Sequence, residues 1–349
     1  MLETTTAAPK RSARNKGASE KPVFAALDLG TNNCRLLIAS LHGLPRIDTS
    51  IGDSPVQVFD SFSRIIRLGE GVSKSGNISE EAIDRAVSAL KACRKKLNRY
   101  DLTSSRFVAT EACRRAKNRA LFLERVLNET GIKIDIISTE DEAKLAFSGC
   151  ASLLNKKYEK ALVFDIGGGS TELMWVDVKN GKIIDDWLSV NFGVMNLSDK
   201  FGGSDFADIT FKDMVKTISD KLQEFDKKNN ISEAIRNGGV QMLSTSGTVT
   251  TLAAVHLDLP RYDRSRIDGT TLSVYDIRRA TEKLLDMKSS ERFNHPCIGF
   301  DRADFILSGC AIFEAISDLW SIDNITIADR GVREGIILSL AREWQTANG

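Results

Sequence analysis

The chain has 349 residues, of which 42% are hydrophobic and 27% charged, and a net charge of +1. These values predict a globular protein of about two domains and give no sign of a nucleic-acid or membrane surface. The six cysteines form no Cys-x-x-Cys pair and there are only three histidines, which argues against zinc and haem sites. Reduced thiols in the cytoplasm are the simplest interpretation of the cysteines. The sequence has no apolar run of membrane-spanning length.

Residues 1–21 contain five Lys or Arg residues among Ser, Thr, Ala and Gly, and they lack an apolar segment. We expect a disordered basic tail rather than a secretory signal, because such a segment cannot repay the entropy of ordering. A weak contact with a polyanion is the alternative.

A first hairpin follows the tail. An apolar strand from Phe24 ends in Asp28, the turn contains Gly30, Thr31 and Asn32, and a second apolar strand follows. Alternating strands and helices come next: strands at 63–69, 106–110 and 132–137, and helices from Ser79 to about 97, at 111–128 and at 140–154.

A second hairpin has the same form, with a strand from Ala161 to Asp165, a glycine-rich turn and a strand that begins near Glu172. Helices are predicted near 196–201, 210–229, 249–256, 274–287, 303–319 and 332–344, and strands at 241–245 and 325–328. The alternation predicts an α/β fold with mixed sheets, divided into lobes at 22–144 and 145–349.

The two hairpins indicate a phosphate-binding function. A glycine-rich turn exposes backbone N–H groups to phosphate oxygens, and an aspartate at the strand end can hold a hydrated divalent cation. Rossmann and Walker loops lead into a helix, whereas both loops here lead into a strand. One such turn would be an ordinary tight turn; two indicate related half-domains that clamp a phosphorylated ligand.

Seven segments together carry a resemblance to a known family: 28–32 (DLGTN), 67–71 (RLGEG), 109–114 (ATEACR), 137–143 (ISTEDEA), 165–172 (DIGGGSTE), 246–248 (SGT) and 333–335 (REG). From residue 23 to about 340, the chain resembles the exopolyphosphatase / guanosine pentaphosphate phosphatase family of the sugar kinase, heat-shock chaperone and actin superfamily. The resemblance implies two actin-like (ribonuclease H-like) lobes with mixed sheets and an interdomain cleft.

The resemblance also implies roles for individual residues. Glu142 matches the carboxylate that positions the attacking water, a role suited to in-line cleavage of a phosphoanhydride; Thr139-x-x-Glu142 can instead be read as a helix capping box. Asp28, Asp165 and Glu172 match metal-associated carboxylates, which suit Mg²⁺ or Mn²⁺. The expected phosphate ligands are Gly30, Thr31, Asn32, Arg114, Gly167, Gly168, Gly169, Ser170, Ser246, Gly247 and Thr248.

One position departs from the family pattern. Relatives often have Val-His-Gly where this chain has Ile267-Asp268-Gly269, which puts a substrate contact by histidine in doubt. The expected function is release of terminal phosphate from inorganic polyphosphate, guanosine pentaphosphate, or both. The alternatives are a phosphotransferase of the same superfamily and a non-catalytic polyphosphate or alarmone sensor. We expect neither a specific nucleic-acid partner nor a membrane span; the oligomeric state, with a homodimer as one option, stays open.

Overall fold

The computed structural model describes residues 21–41, 56–181, 183–202 and 208–348. The predicted tail, apart from Lys21, lies outside these ranges. Within them, no helix is both long enough and apolar enough to cross a membrane.

The first lobe contains a five-stranded sheet in the order β3-β2-β1-β4-β5. β2 is antiparallel to both β1 and β3, and β4 and β5 continue the sheet parallel to β1. One face packs against the helices that follow β3 and β4, around residues such as Leu27, Leu90 and Phe122. The elements are β1 Phe24–Leu29, β2 Asn33–Leu41, β3 Val56–Ile65, α1 Val72–Ser75, α2 Glu80–Leu97, β4 Ser104–Ala109, α3 Glu111–Arg115, α4 Arg119–Thr130, β5 Asp135–Ile136 and α5 Thr139–Cys150.

The second lobe contains a six-stranded sheet in the order β10-β11-β9-β6-β7-β8. Helices that follow its strands cover one face and enclose Phe164, Leu252 and Phe313. The elements are β6 Lys160–Ile166, β7 Thr171–Asp177, β8 Ile183–Val190, α6 Val194–Phe201, α7 Asp208–Asn229, α8 Ile231–Arg236, β9 Val240–Ser244, α9 Gly247–His256, α10 Arg264–Ile267, β10 Thr271–Ser273, α11 Val274–Asp286, α12 Ser289–Asn294, α13 Phe300–Ala303, α14 Ile306–Leu319, β11 Asn324–Ile327 and α15 Val332–Asn348.

The two sheets share one topology. In each, a three-stranded antiparallel meander is extended by two strands parallel to its first strand, and the second sheet adds β10 antiparallel to β11 at its edge. This arrangement is the ribonuclease H-like order of strands, present twice. The predicted fold class, two actin-like lobes with mixed sheets and a cleft between them, is therefore confirmed.

Two helices lie where the lobes meet. α5 packs Leu145 and Ala146 toward the first sheet and Phe147 toward the second. α15, the last helix in the chain, packs on the first sheet through residues such as Ile336. The division at 144/145 stays a prediction, because α5 packs against both sheets and α15, from the second half of the chain, packs on the first sheet.

Several predicted elements have different bounds in the structure. The strand predicted at 63–69 runs from Val56 to Ile65, and the helix predicted at 111–128 is interrupted at residues 116–118. The strand predicted at 132–137 is limited to Asp135–Ile136, and β8 was not predicted. The alternation of apolar and polar residues over 56–65 is weak because this edge strand is exposed or half-buried.

Candidate active site

The two hairpins form matching turns. Gly30 N–H donates to the Asn33 carbonyl at 2.8 Å, and Gly167 N–H donates to the Ser170 carbonyl at 2.9 Å. In the first hairpin Asp28 lies opposite Arg35, and in the second Asp165 lies opposite Glu172. Residues directly opposite each other project from the same face of a sheet, so each aspartate shares its face with a second charged residue.

The turns approach each other across the cleft. A Cβ atom at Gly168 would lie 3.1 Å from Cβ of Thr31, and one at Gly169 would lie 2.9 Å from the Thr31 hydroxyl oxygen. These separations leave no room for a larger residue, so the glycines permit the close approach of the two loops.

A cavity of about 1160 Å³, counting space open to solvent, lies between the lobes beside these loops. The first residues of α9 and α15 also line it, which brings two helix N-termini, with their partial positive charge, to the cavity. Most of the predicted site residues line the cavity: Asp28, Gly30, Thr31, Asn32, Glu142, Asp165, Gly167, Gly168, Gly169, Ser170, Gly247 and Thr248.

Three predicted site residues, Ser246, Glu172 and Arg114, lie next to the residues that line the cavity. Ser246 caps α9 by accepting a hydrogen bond from Thr248 N–H at 3.0 Å. Glu172 accepts hydrogen bonds from the Ser170 and Ser189 hydroxyls at 2.7 and 2.9 Å. Arg114 is held by carboxylates. None of the three is among the lining residues, so their predicted direct contacts stay predictions.

The carboxylates of the site raise one another's pKa. Burial raises the pKa of Glu142 to about 8, and the charge of Glu172 adds to this rise, while Arg114 opposes it. Burial and the charge of Glu142 raise the pKa of Asp165 to about 7. The pKa of Asp28 is also raised by burial, although Arg35 and Arg333 oppose the shift. A cation or a cationic ligand would relieve this concentration of negative charge.

Glu142 is fixed by an arginine clamp. Arg114 donates to Glu142 Oε2 at 2.8 Å, to Glu111 Oε2 at 3.0 Å and to the Ile137 carbonyl at 3.0 Å. The helix cap is Ser138, whose hydroxyl accepts from Asp141 N–H. The capping interpretation of Glu142 is therefore wrong: its side chain lies at the cavity and not over its own helix terminus.

Sequence reasoning missed the main positive charges of the cavity, which come from Arg35, Arg302 and Arg333. Among the described residues, the guanidiniums of Arg35 and Arg302 make no ion pair within 4 Å, and Arg333 reaches only Glu334, at 3.9 Å. Burial lowers the pKa of Arg302, and the charge of Arg35 lowers it further. Guanidiniums with so few acidic partners in one cavity are suited to an anion of high charge density.

One sequence signal could have identified Arg35. The second hairpin repeats the first at an offset of 137 residues, since Asp165 corresponds to Asp28 and Glu172 to Arg35. Glu172, a predicted metal ligand in the second hairpin, thus corresponds to the cationic Arg35 in the first. Arg333 begins the 333–335 segment that matches the family, although no role was predicted for it, and Arg302 carries no comparable signal because it reaches the cavity from a short helix late in the chain.

Asp268, at the position where the resemblance led us to expect a histidine, has a structural partner. Arg330 donates to both oxygens of Asp268, with distances of 2.6 to 3.1 Å, and Asp329 N–H donates to Asp268 Oδ1 at 2.9 Å. The pair positions the segment between β11 and α15, where Arg330 also lines the cavity. Asp268 therefore holds a cavity residue in place.

The donor set fits a magnesium ion with few protein ligands. Among the described residues, no group of three or more Asp, Glu, His or Cys side chains is arranged to enclose a metal. Mg²⁺ needs no such cage, since it is bound by one or two carboxylates together with waters and substrate phosphates. Asp28 and Asp165 would supply the carboxylates, and the buried Oδ1 of Asn32, which has no hydrogen-bond partner here, could accept from a metal-bound water.

Comparison with known proteins agrees with this geometry. The sequence profile of the Ppx/GppA phosphatase family matches residues 49–343. The chain belongs to this family. It is 28% identical over 332 residues to exopolyphosphatase 2 of Mycobacterium tuberculosis, covering 91% of this chain and 98% of that protein. The crystal structure of the Aquifex aeolicus member of the family superposes with a TM-score of 0.74 at 28% identity, covering 93% and 99% of the two chains.

A longer relative contains this unit with additional sequence. The chain is 30% identical over 335 residues to the bifunctional 3-dehydroquinate synthase/phosphatase of Fusobacterium nucleatum. The match covers 90% of this family member and 46% of that protein, so the chain spans about half the length of this relative.

Proposed function

We propose that this protein is an exopolyphosphatase that releases terminal phosphate from inorganic polyphosphate, with guanosine pentaphosphate as a second substrate of the same site. Membership of the Ppx/GppA phosphatase family and similarity to the M. tuberculosis exopolyphosphatase support the reaction class. The buried, free cysteines support our proposal of a cytoplasmic location.

The observation that carries the proposal is the charge arrangement of the cavity. Arg35, Arg302 and Arg333 converge on a space that also holds two glycine-rich turns and two helix N-termini. Each element is suited to phosphate oxygens, and together they offer more positive partners than a single phosphate uses. A chain of linked phosphates would satisfy them.

Water is the proposed acceptor, and Glu142 the proposed base. The raised pKa of Glu142, about 8, lies close to neutral pH, where a general base combines adequate ionisation with proton affinity. Arg114 holds the carboxylate so that one oxygen is directed, and Glu142 orients a water toward the terminal phosphorus and accepts its proton. The arginines and backbone N–H groups stabilise the charge that develops on the phosphoryl oxygens.

Asp28 and Asp165 would hold magnesium or manganese, and Glu172 would support the site through Ser170. The ion, when bound, would neutralise charge on the phosphate oxygens. We retain the phosphotransferase and the sensor as competing functions. The carboxylate of Glu142, clamped by Arg114, favours water over a second substrate as the acceptor, and a sensor has no need of a clamped base.

The deciding experiment measures phosphate release by the purified protein from short polyphosphate, long polyphosphate and guanosine pentaphosphate, each with Mg²⁺, Mn²⁺ or EDTA. We expect metal-dependent release from polyphosphate. Tight binding of polyphosphate without turnover would establish the sensor instead, and transfer of label from ATP to an acceptor would establish the kinase.

A further inference from the structure

Arg67 occupies a strained backbone position beside the first loop. Its φ angle is 46°, in the left-handed region that residues other than glycine rarely adopt. The segment is held there by the loop itself, because the N–H groups of Ile66 and Arg67 both donate to the Asn32 carbonyl, at 2.8 and 3.1 Å. A strained residue kept in place by its surroundings indicates a function for its side chain.

The side chain of Arg67 crosses to the other lobe. Its guanidinium donates to Asp304 Oδ2 at 3.0 Å and lies 5.4 Å from the centre of the Phe305 ring. Asp304 and Phe305 form the junction between α13 and α14, and Arg302 and Phe305 on the same segment line the active-site cavity. Arg67 is thus bonded through its backbone to the first phosphate loop and through its side chain to the segment that carries a cavity arginine.

The backbone of Arg67 is supported independently within its own lobe. Arg85 donates from Nε to the Ile66 carbonyl at 2.8 Å and from Nη2 to Glu70 at 2.7 Å. These contacts hold the 66–70 segment without reaching the second lobe, so the side chain of Arg67 is free to serve the contact across the cleft.

We propose that Arg67 is a positioning residue that fastens the Asp304–Phe305 segment to the first loop and so holds Arg302 over the bound substrate. The contact between Arg67 and Asp304 exists whatever reaction the protein catalyses. The expected effect of its loss on KM rests on the proposed function. Because the tie holds the two sides of the cleft together for substrate and transition state alike, its loss raises KM more than it lowers kcat.

Arg67→Gly is the primary test. Glycine adopts a φ of 46° without strain, so this variant removes the side chain and leaves the backbone conformation available. We expect KM for polyphosphate to rise about fivefold, the scale of an ion pair with a cation–π contact, and kcat to change less than about twofold. Arg64→Ala is the matched control, since Arg64 lies over Phe62, at 5.2 Å, within one lobe.

Hydrogen exchange supplies a readout independent of activity. Arg67→Gly should speed amide exchange in residues 300–306, on the other side of the cleft, and Arg64→Ala should leave that segment unchanged. Asp304→Asn, which leaves the strained segment intact, should in turn speed exchange at residues 66–69. Exchange at 300–306 in Arg67→Gly equal to that in the wild type would overturn the proposal.

If Arg67→Gly loses overall stability, a double variant that exchanges the two charges still tests the proposal. The pair Arg67→Asp and Asp304→Arg restores opposite charges, and aspartate tolerates the left-handed conformation better than most residues. Protection of 300–306 should partly return in the double variant relative to Arg67→Asp alone; no return refutes the tie. If the wild type released no phosphate from polyphosphate, the proposed function would fail while these exchange measurements still decided the role of Arg67.

Discussion

At the scale of single residues, Glu142 combines three properties of a general base: it lies at the cavity, it is clamped by Arg114, and its pKa is raised. Glu142→Gln keeps the size of the side chain and removes the base. We predict a fall in kcat of about 100-fold or more with little change in KM. Asp141→Asn is the control, because this exposed neighbour faces Ser138. Full activity of Glu142→Gln would remove Glu142 from the mechanism.

Replacing Arg114 tests whether its charge sets the pKa of Glu142. Its charge and hydrogen bond lower the pKa of Glu142, so removing the guanidinium should raise it further. A base must be ionised to act, and the acidic limb of the kcat/KM profile should therefore move to higher pH in Arg114→Ala. A rise in KM without any movement of the limb would instead support the predicted role of Arg114 as a phosphate ligand.

Arg302 should show opposite effects on binding and stability. Its half-buried charge lies beside Arg35 without an acidic partner within 4 Å among the described residues, and its pKa is lowered by desolvation and by Arg35. Arg302→Gln should raise KM by about 10- to 100-fold, the scale of charged hydrogen bonds, and should leave the melting temperature equal or higher. Arg279→Gln, at an exposed arginine, should change neither quantity. A fall in melting temperature with an unchanged KM would make Arg302 structural.

At the scale of elements, the contact between α5 and α15 fixes the geometry of the cleft. A Cβ atom at Gly335 would lie 2.0 Å from the carbonyl oxygen of Leu145, and one at Gly149 would lie 2.1 Å from that of Gly331. Each helix therefore uses a glycine where the backbone of its partner passes. Since Glu142 lies in the first turn of α5 and Arg333 is the second residue of α15, this contact also sets the distance between a carboxylate and an arginine of the site.

Gly335→Ala should separate these helices. The added methyl group meets backbone, which cannot rotate away, so we predict a loss of about 1–3 kcal/mol in the free energy of unfolding. Activity should fall as well, because the two ends of the site move together with the helices. Ser339→Ala, on the exposed side of α15, should stay within about 0.5 kcal/mol of the wild type. Denaturant unfolding checks both variants.

At the scale of the whole molecule, the buried carboxylates make stability depend on pH. The pKa values of Glu142, Asp165 and Glu172 are raised to about 8, 7 and 7, mainly by burial. Between about pH 4.5 and these values the folded chain holds protons that the unfolded chain has lost, so stability falls as pH rises through this window.

Thermal unfolding in EDTA should reveal this dependence as a melting temperature that falls from pH 5.5 to pH 8. Glu142→Gln removes one of the titrating groups and should flatten the curve. Added Mg²⁺ should raise the melting temperature more at pH 8, where the carboxylates are ionised, than at pH 5.5. A melting temperature that rises with pH in EDTA would contradict the raised pKa values.

Much of the architecture was predictable from local patterns. Each hairpin is specified by adjacent residues, an apolar strand that ends in aspartate and a glycine turn, so the loops, the repeated lobe and Asp28, Asp165 and Glu142 could be identified without coordinates. The short or exposed elements could not: β5 has two residues, and β3 lies at an edge where few side chains need to be apolar.

The sequence by itself determined the repeated strand–turn–strand units, the α/β class and the family, because these depend on neighbours in the chain. Only the tertiary structure decided which distant residues meet. It brought Arg302 and Arg333 to loops more than 130 residues away in sequence, paired Asp268 with Arg330, and turned Arg114 toward Glu142 and Glu111. Long-range charge pairing leaves no periodic trace, since one arginine at a helix end resembles any solvated arginine until the fold places a cavity with other charged side chains beside it.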